Sequence, residues 1–213
     1  MIDDLPSLMY LLAHDDAAQA PYDRPRTQLL VRAAALIDLA SRGRLGEEGG
    51  RVTVSGTEPT GDPVLDGVLR EAAAGAHGWR HLMRSDRKRT LTEVENRLAG
   101  AGLLTVKEPR TPFGTRRLTV TDRAAPAALR ARVSATLHGT GPVGEIPVAD
   151  AALLALAAAG GVRAVVSRQD HKTCRARIDA CTGRLAALAP GLEKAVRALP
   201  TTMIAAQGGM GGS

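Results

Sequence analysis

Apolar positions recur at helical spacing along most of the chain. Leu5, Leu8, Met9, Leu11 and Leu12 share one broad face behind Asp4, whose carboxylate is placed to cap the first turn. Residues 15–25 are acidic, carry Ala and Pro, and predict a loop. From Thr27, which offers an N-cap oxygen, Leu29, Leu30, Ala33, Leu36, Ile37 and Ala40 keep to one stripe until Gly43 stops it, so this helix is expected to be the best buried of the first half. Alternation in Arg51-Val52-Thr53-Val54, after Arg44-Leu45 and Gly49-Gly50, predicts a short hairpin. Asp62 and Pro63 then open a helix that points Val64, Leu65, Val68 and Leu69 inward.

Residues 77–84 predict a shorter helix holding Trp79, Leu82 and Met83, and Asp86-Arg87-Lys88-Arg89 separates it from a helix capped at Thr90 or Thr92 and closed by Gly102. Residues 103–106 and 117–121 are strand-like and joined by a turn containing Pro109, Pro112 and Gly114. Further helices are expected from Asp122 to Leu137 and over residues 148–159, 171–188 and 190–199, with a Gly/Pro-rich linker at 139–147. The pattern predicts a mainly α fold: a single globular helical domain over residues 1–207 with one or two short β-hairpins, and a Gly-rich tail, 208–213, expected to be disordered.

Composition narrows this further. The chain is 44% hydrophobic but only 2% aromatic, and its 37 Ala supply much of the apolar share, which favours helices over an aromatic-rich barrel or sandwich. Two Cys make no disulfide framework and no apolar leader opens the sequence, so a reduced, cytoplasmic protein is expected. The longest apolar run, residues 151–162, is too short to cross a bilayer, and any membrane contact is expected to be peripheral.

Charge is uneven. Residues 1–78 carry 7 Lys/Arg against 12 Asp/Glu, residues 79–132 carry 13 against 5, and residues 133–213 carry 8 against 5. So basic a middle segment points to a polyanion: nucleic acid, an anionic membrane surface or a phosphorylated head group. Catalytic signatures are missing. His77 and His81 are four apart but have no third ligand nearby, and Cys174 and Cys181, seven apart on a predicted helix, suit a buried core. Neither a phosphate loop nor a nucleophile elbow is present, so the sequence predicts no enzyme, no cofactor and no metal.

Several stretches together resemble the Golgi phosphoprotein 3 family, or GPP34 domain, whose members are phosphatidylinositol 4-phosphate effectors. They are Leu36-Ile37-Asp38-Leu39-Ala40-Ser41-Arg42-Gly43-Arg44-Leu45, then Pro59-Thr60-Gly61-Asp62 with Leu65-Asp66 and Leu69, then Arg97-Leu98 with Gly102-Leu103-Leu104. Leu153-Leu154-Ala155-Leu156 and Arg175-Ala176-Arg177-Ile178 continue in the same order. The resemblance implies central helices ringed by amphipathic ones, and a protruding hairpin that contacts a membrane, a client protein or a second copy of the chain. Together with the Ala-, Gly- and Arg-heavy composition, it implies a bacterial member from a GC-rich genome such as an actinobacterial one.

The resemblance also implies a shallow basic lipid pocket. Carried over position by position, its helix Arg falls on Arg32 and its first later basic residue on Lys88, while its second falls on Leu91, with Arg89 the nearest cation, and its aromatic falls on Asp23, beside Tyr22. Arg32, Lys88 and Arg89, with Arg24, Arg26 and Arg87 nearby, are therefore expected to meet an anionic phospholipid or phosphoinositide. On the hairpin, Arg110, Phe113, Arg116 and Arg117 form the expected membrane contact, Phe113 as a wedge among cations. A peripheral lipid-binding adaptor is the implied function.

Two alternatives belong to other classes. Residues 90–101 with the basic hairpin 103–120 resemble a winged-helix module, in which Asn96 and Arg97 would read bases and Glu93 and Glu95 would face phosphate unfavourably, which makes nucleic acid the weaker partner. A protein-interaction module using the acidic first 78 residues is the other.

Overall fold

The computed structural model describes residues 3–15, 17–56, 58–107, 117–122 and 124–208, with side chains described as far as Met203. The chain opens with α1 (Leu5–Leu12), where the Asp4 carboxylate accepts the Ser7 amide at 2.9 Å. A short ladder of two residues a side, β1 (His14–Asp15) on β2 (Ala20–Pro21), lies at and within the expected loop. α2 (Arg24–Ser41) follows, four residues earlier than a cap at Thr27 predicts. Its cap is Asp23, not Thr27: the Asp23 side chain takes the Arg26 amide at 3.0 Å, Pro25 sits in the first turn, and Thr27 is buried inside the helix. Gly43, at φ +68°, ends it.

β3 (Leu45–Glu48) and β4 (Arg51–Val54) pair antiparallel across Gly49 and Gly50, both at positive φ as the tight turn requires. Asp62 caps α3 (Pro63–Ala73) through the Val64 amide at 2.9 Å. α4 (Trp79–Arg84) and α5 (Arg87–Gly100) come next, then β5 (Leu104–Lys107) and β6 (Arg117–Val120), paired from Leu104↔Val120 to Lys107↔Arg117. The rest is helical: α6 (Ala124–His138), α7 (Val148–Gly160), α8 (Arg168–Thr173), α9 (Arg175–Gly183), α10 (Pro190–Arg197) and α11 (Leu199–Gly208), with 3-10 turns at Val143–Glu145 and Arg184–Ala187. The structure is a mainly α single domain with short antiparallel hairpins.

The Ala-rich helices α2 and α7 form the centre, with Ala33 to Leu39 and Ala151 to Ala157 essentially inaccessible. Small side chains let the two backbones approach. At Gly160 an added Cβ would lie 2.5 Å from Leu30 Cδ1, and the Gly160 carbonyl accepts Arg26 at 2.9 Å. α1, α3, α4 and α5 pack on α2, and α6, α9 and α10 pack on α7, so each of these seven helices buries one face.

Three further boundaries depart from the sequence pattern. Residues 171–188, expected as one helix, are α8, α9 and a 3-10 turn. Ser167 and Asp170 form a reciprocal capping box that starts a separate helix, and Cys174 at φ −106° breaks it from the next. α11 extends to Gly208, so the first residue of the expected tail is helical, while 209–213 fall outside the described residues. α5 begins at Arg87, which puts the basic run on the helix instead of ahead of it, with Thr90 buried in its first turns.

Candidate functional site: a basic hollow at the start of a helix

α4 ends at Arg84, Ser85 is extended, and Asp86 turns the chain in the left-handed region at φ +45° before α5 begins. Asp86 precedes α5 without a side-chain cap bond, so its carboxylate does not neutralise the amides of the first turn. Arg84, Asp86, Arg87, Lys88 and Arg89 line an open hollow of about 520 Å³. Lys88 and Arg89 are exposed and Arg87 is half-buried. Arg89 is held by Glu93 one turn along, at 2.8 Å, and that bond raises its pKa above the ordinary guanidinium value. Arg84, Arg87 and Lys88 make no ion pair among the described residues. An uncapped 14-residue helix start and four cations thus share one depression, with Asp86 as its single acidic lining residue.

Arg32 lies underneath. It is 1% exposed, and each guanidinium nitrogen is engaged: Nε donates to the Leu82 carbonyl at 2.8 Å, one terminal nitrogen to Thr90 Oγ1 at 3.2 Å, and the other to the Glu71 carboxylate. Thr90 in turn donates to the Asp86 carbonyl at 3.1 Å. Burial lowers the Arg32 pKa while Glu71 opposes the shift. One side chain from α2 therefore pins the end of α4, the start of α5 and the Glu71 turn of α3 together. Arg32 shapes the hollow and does not face it, which corrects its expected role as a phosphate contact.

Of the expected site residues, Arg87, Lys88 and Arg89 come together and Tyr22 does not join them. Tyr22, 51% exposed, lines a separate hollow of about 360 Å³ with His14, Arg130 and Arg163. The reason is the direction of α2. Arg24 binds Glu95 through both nitrogens at 2.8 and 2.9 Å, roughly 12 Å along α5 from Arg87, whereas Arg32 reaches Thr90, so Tyr22 belongs at the far end of that contact. Arg24 and Arg26 are taken by Glu95, Asp23 and the Gly160 carbonyl. Leu91, the family's second basic position, is fully buried core, and Asp23, its aromatic position, is the α2 cap. Arg84 has no local signature as a site residue: it joins Lys88 in the hollow across the left-handed turn at Asp86.

On the hairpin, Arg117 is exposed at the start of β6, while Arg110, Phe113 and Arg116 lie outside the described residues. The winged-helix alternative loses one of its two readers: Arg97 binds Asp4, Asp62 and the Ser7 hydroxyl, while Asn96 stays exposed. Glu95, expected on the exposed face, is 0% exposed.

The family model for Golgi phosphoprotein 3 (GPP34) matches residues 5–199. The chain belongs to the Golgi phosphoprotein 3 family. No match is found among curated proteins. The GPP34 match spans every element from α1 to α10, so the central α2–α7 pair and the hollow at α5 both lie within the family domain. No helix among the described residues of this GPP34 chain is long and apolar enough to cross a membrane.

Proposed function

We propose that this GPP34 protein docks peripherally on anionic membranes and receives a phosphorylated lipid head group, of the phosphatidylinositol 4-phosphate class, in the hollow at the start of α5. The observation that carries this reading is the convergence of Arg84, Arg87, Lys88 and Arg89 on a helix start that no side chain caps. A phosphate monoester is small, doubly charged and rich in acceptors, so it suits exposed guanidinium and ammonium donors around free backbone amides. Family membership supports lipid or protein partners in general, and the excess of positive charge over residues 79–132 would draw the same face to an anionic leaflet. An adaptor role then follows, with the hairpin or the acidic first 78 residues left to engage a client. Neither a catalytic group nor a cofactor is needed for this task.

Vesicle flotation tests the reading. Neutral phosphatidylcholine vesicles are compared with vesicles carrying phosphatidylinositol 4-phosphate and with vesicles of equal charge carrying phosphatidylserine. Wild type is expected to float with the phosphoinositide and to float less with phosphatidylserine. Replacing Arg87 and Lys88 together by Ala removes two surface charges of about 1 kcal/mol each and is expected to weaken binding about thirty-fold. Equal flotation of the double variant, or binding of duplex DNA with no vesicle binding, would overturn it.

A further inference from the structure

Far from the basic hollow in sequence, the end of α6 meets the α8–α9 junction. His138 is the last residue of α6, and its Nδ1 stands 3.0 Å from the Ser134 carbonyl, an oxygen that can only accept. The Ser134 hydroxyl lies 3.3 Å from the same nitrogen, so Nδ1 is anchored on Ser134 in either tautomer and Nε2 is the ring nitrogen turned toward α8. Nε2 stands 3.2 Å from Asp170 Oδ1, a hydrogen bond when Nε2 carries a proton. The other carboxylate oxygen, Oδ2, is committed to the Ser167 amide at 2.8 Å in the α8 capping box, which fixes the carboxylate plane and aims Oδ1 outward. Cys174, one helical turn after Asp170, completes the group: a His nitrogen, a carboxylate oxygen and a thiol sulfur, all within 4.8 Å of one another.

We propose that His138 Nε2, Asp170 Oδ1 and Cys174 Sγ form a binding site for a divalent transition metal of the zinc class. A divalent ion would take the place of the proton between His138 Nε2 and Asp170 Oδ1, and a soft sulfur beside them selects zinc or cobalt over calcium or magnesium. In a tetrahedral zinc site, bonds of about 2.0 to 2.3 Å hold the ligand atoms roughly 3.3 to 3.8 Å apart, so the three atoms need only a small closure. Both orienting bonds are in place, the Ser134 carbonyl on the imidazole and the Ser167 amide on the carboxylate. The carbonyl end of α6 adds a favourable negative potential. His138 is half-exposed, so the fourth position opens to water. Binding displaces the thiol proton to solvent and clips α6 to the α8–α9 junction.

The test uses the untagged full chain, stripped with EDTA and titrated with Co²⁺ and then Zn²⁺. One equivalent of Co²⁺ is expected to give the visible bands of tetrahedral cobalt and a near-ultraviolet thiolate-to-cobalt band, and Zn²⁺ to displace both. Cys174→Ser should abolish the thiolate band, while Cys181→Ser should keep it. His138→Gln and Asp170→Asn, the latter chosen because an amide oxygen preserves the Ser167 cap, should each weaken Co²⁺ binding by at least about 100-fold, since even outer partners of a metal cost 10- to 100-fold. Circular dichroism matching wild type confirms that each variant is folded. Absence of saturable cobalt absorption in wild type would overturn the proposal and leave a His138–Asp170 ion pair. Persistence of the thiolate band in Cys174→Ser would overturn it equally.

Discussion

Arg32 shows how a single side chain can matter to a site it does not face. Its three engaged nitrogens hold Leu82, Thr90 and Glu71, so Arg32→Ala strips the bonds that set α4 against α5 and leaves the Glu71 carboxylate unpaired. A loss of about 3 kcal/mol is expected, seen as a fall in Tm of roughly 6 to 12 °C in a chain of this size. Lys88→Ala, at an exposed position, should leave Tm within about 1 °C. Thermal unfolding followed by circular dichroism distinguishes the two, and an unchanged Tm in Arg32→Ala would contradict the pinning role. The cysteines differ in the same way. Cys181 is fully buried, and burial raises its thiol pKa, so the reactive thiolate forms only at higher pH than for an exposed thiol. Iodoacetamide on the folded, chelated protein should therefore alkylate Cys174 alone, with Cys181 labelled only after denaturation. Mass spectrometry showing two native adducts would refute this.

At the scale of elements, the apolar stripes located the helices, and the capping chemistry set their ends. Leu29 to Ala40 marked α2, yet its start was hidden, because Asp23 and Pro25 lie upstream of the first core position and Thr27 is an equally good capping residue on paper. α5 was misjudged for a related reason. A helix preceded by a left-handed Asp without a cap bond has no local signature, and charged Arg87, Lys88 and Arg89 carry no apolar period. The candidate site inherits both errors: three of its cations were legible as a basic run, whereas Arg84 and the depth of Arg32 depend on packing that no local pattern encodes. His138, Asp170 and Cys174 were beyond reach because two separate helices bring them together; the four-residue spacing of Asp170 and Cys174 was the only trace in the sequence. The α2–α7 crossing makes its own prediction. Gly160→Ala places a methyl against Leu30 in a filled core and should destabilise the fold by about 1 to 3 kcal/mol in urea unfolding; a neutral effect would show that the crossing is looser than the structure indicates.

For the whole molecule, the central question is how a rigid, Ala-packed helical body presents charge. Its first 78 residues are net acidic and residues 79–132 are strongly basic, and within that basic segment Arg84, Arg87, Lys88 and Arg89 gather at one hollow. Raising salt from about 0.05 to about 0.3 M shortens the screening length by more than half and should weaken vesicle binding, with a shallower dependence in the Arg87, Lys88 double variant than in wild type. Salt-independent binding would argue for an apolar attachment instead. The hollow beside Tyr22, Arg130 and Arg163 offers an anion a second address on the same body. An amide-resolved NMR titration with a soluble inositol phosphate head group separates the two. The largest saturable shifts are predicted at the amides of Arg87, Lys88 and Arg89. Shifts centred on Tyr22 and Arg163, or none that saturate, would contradict the account.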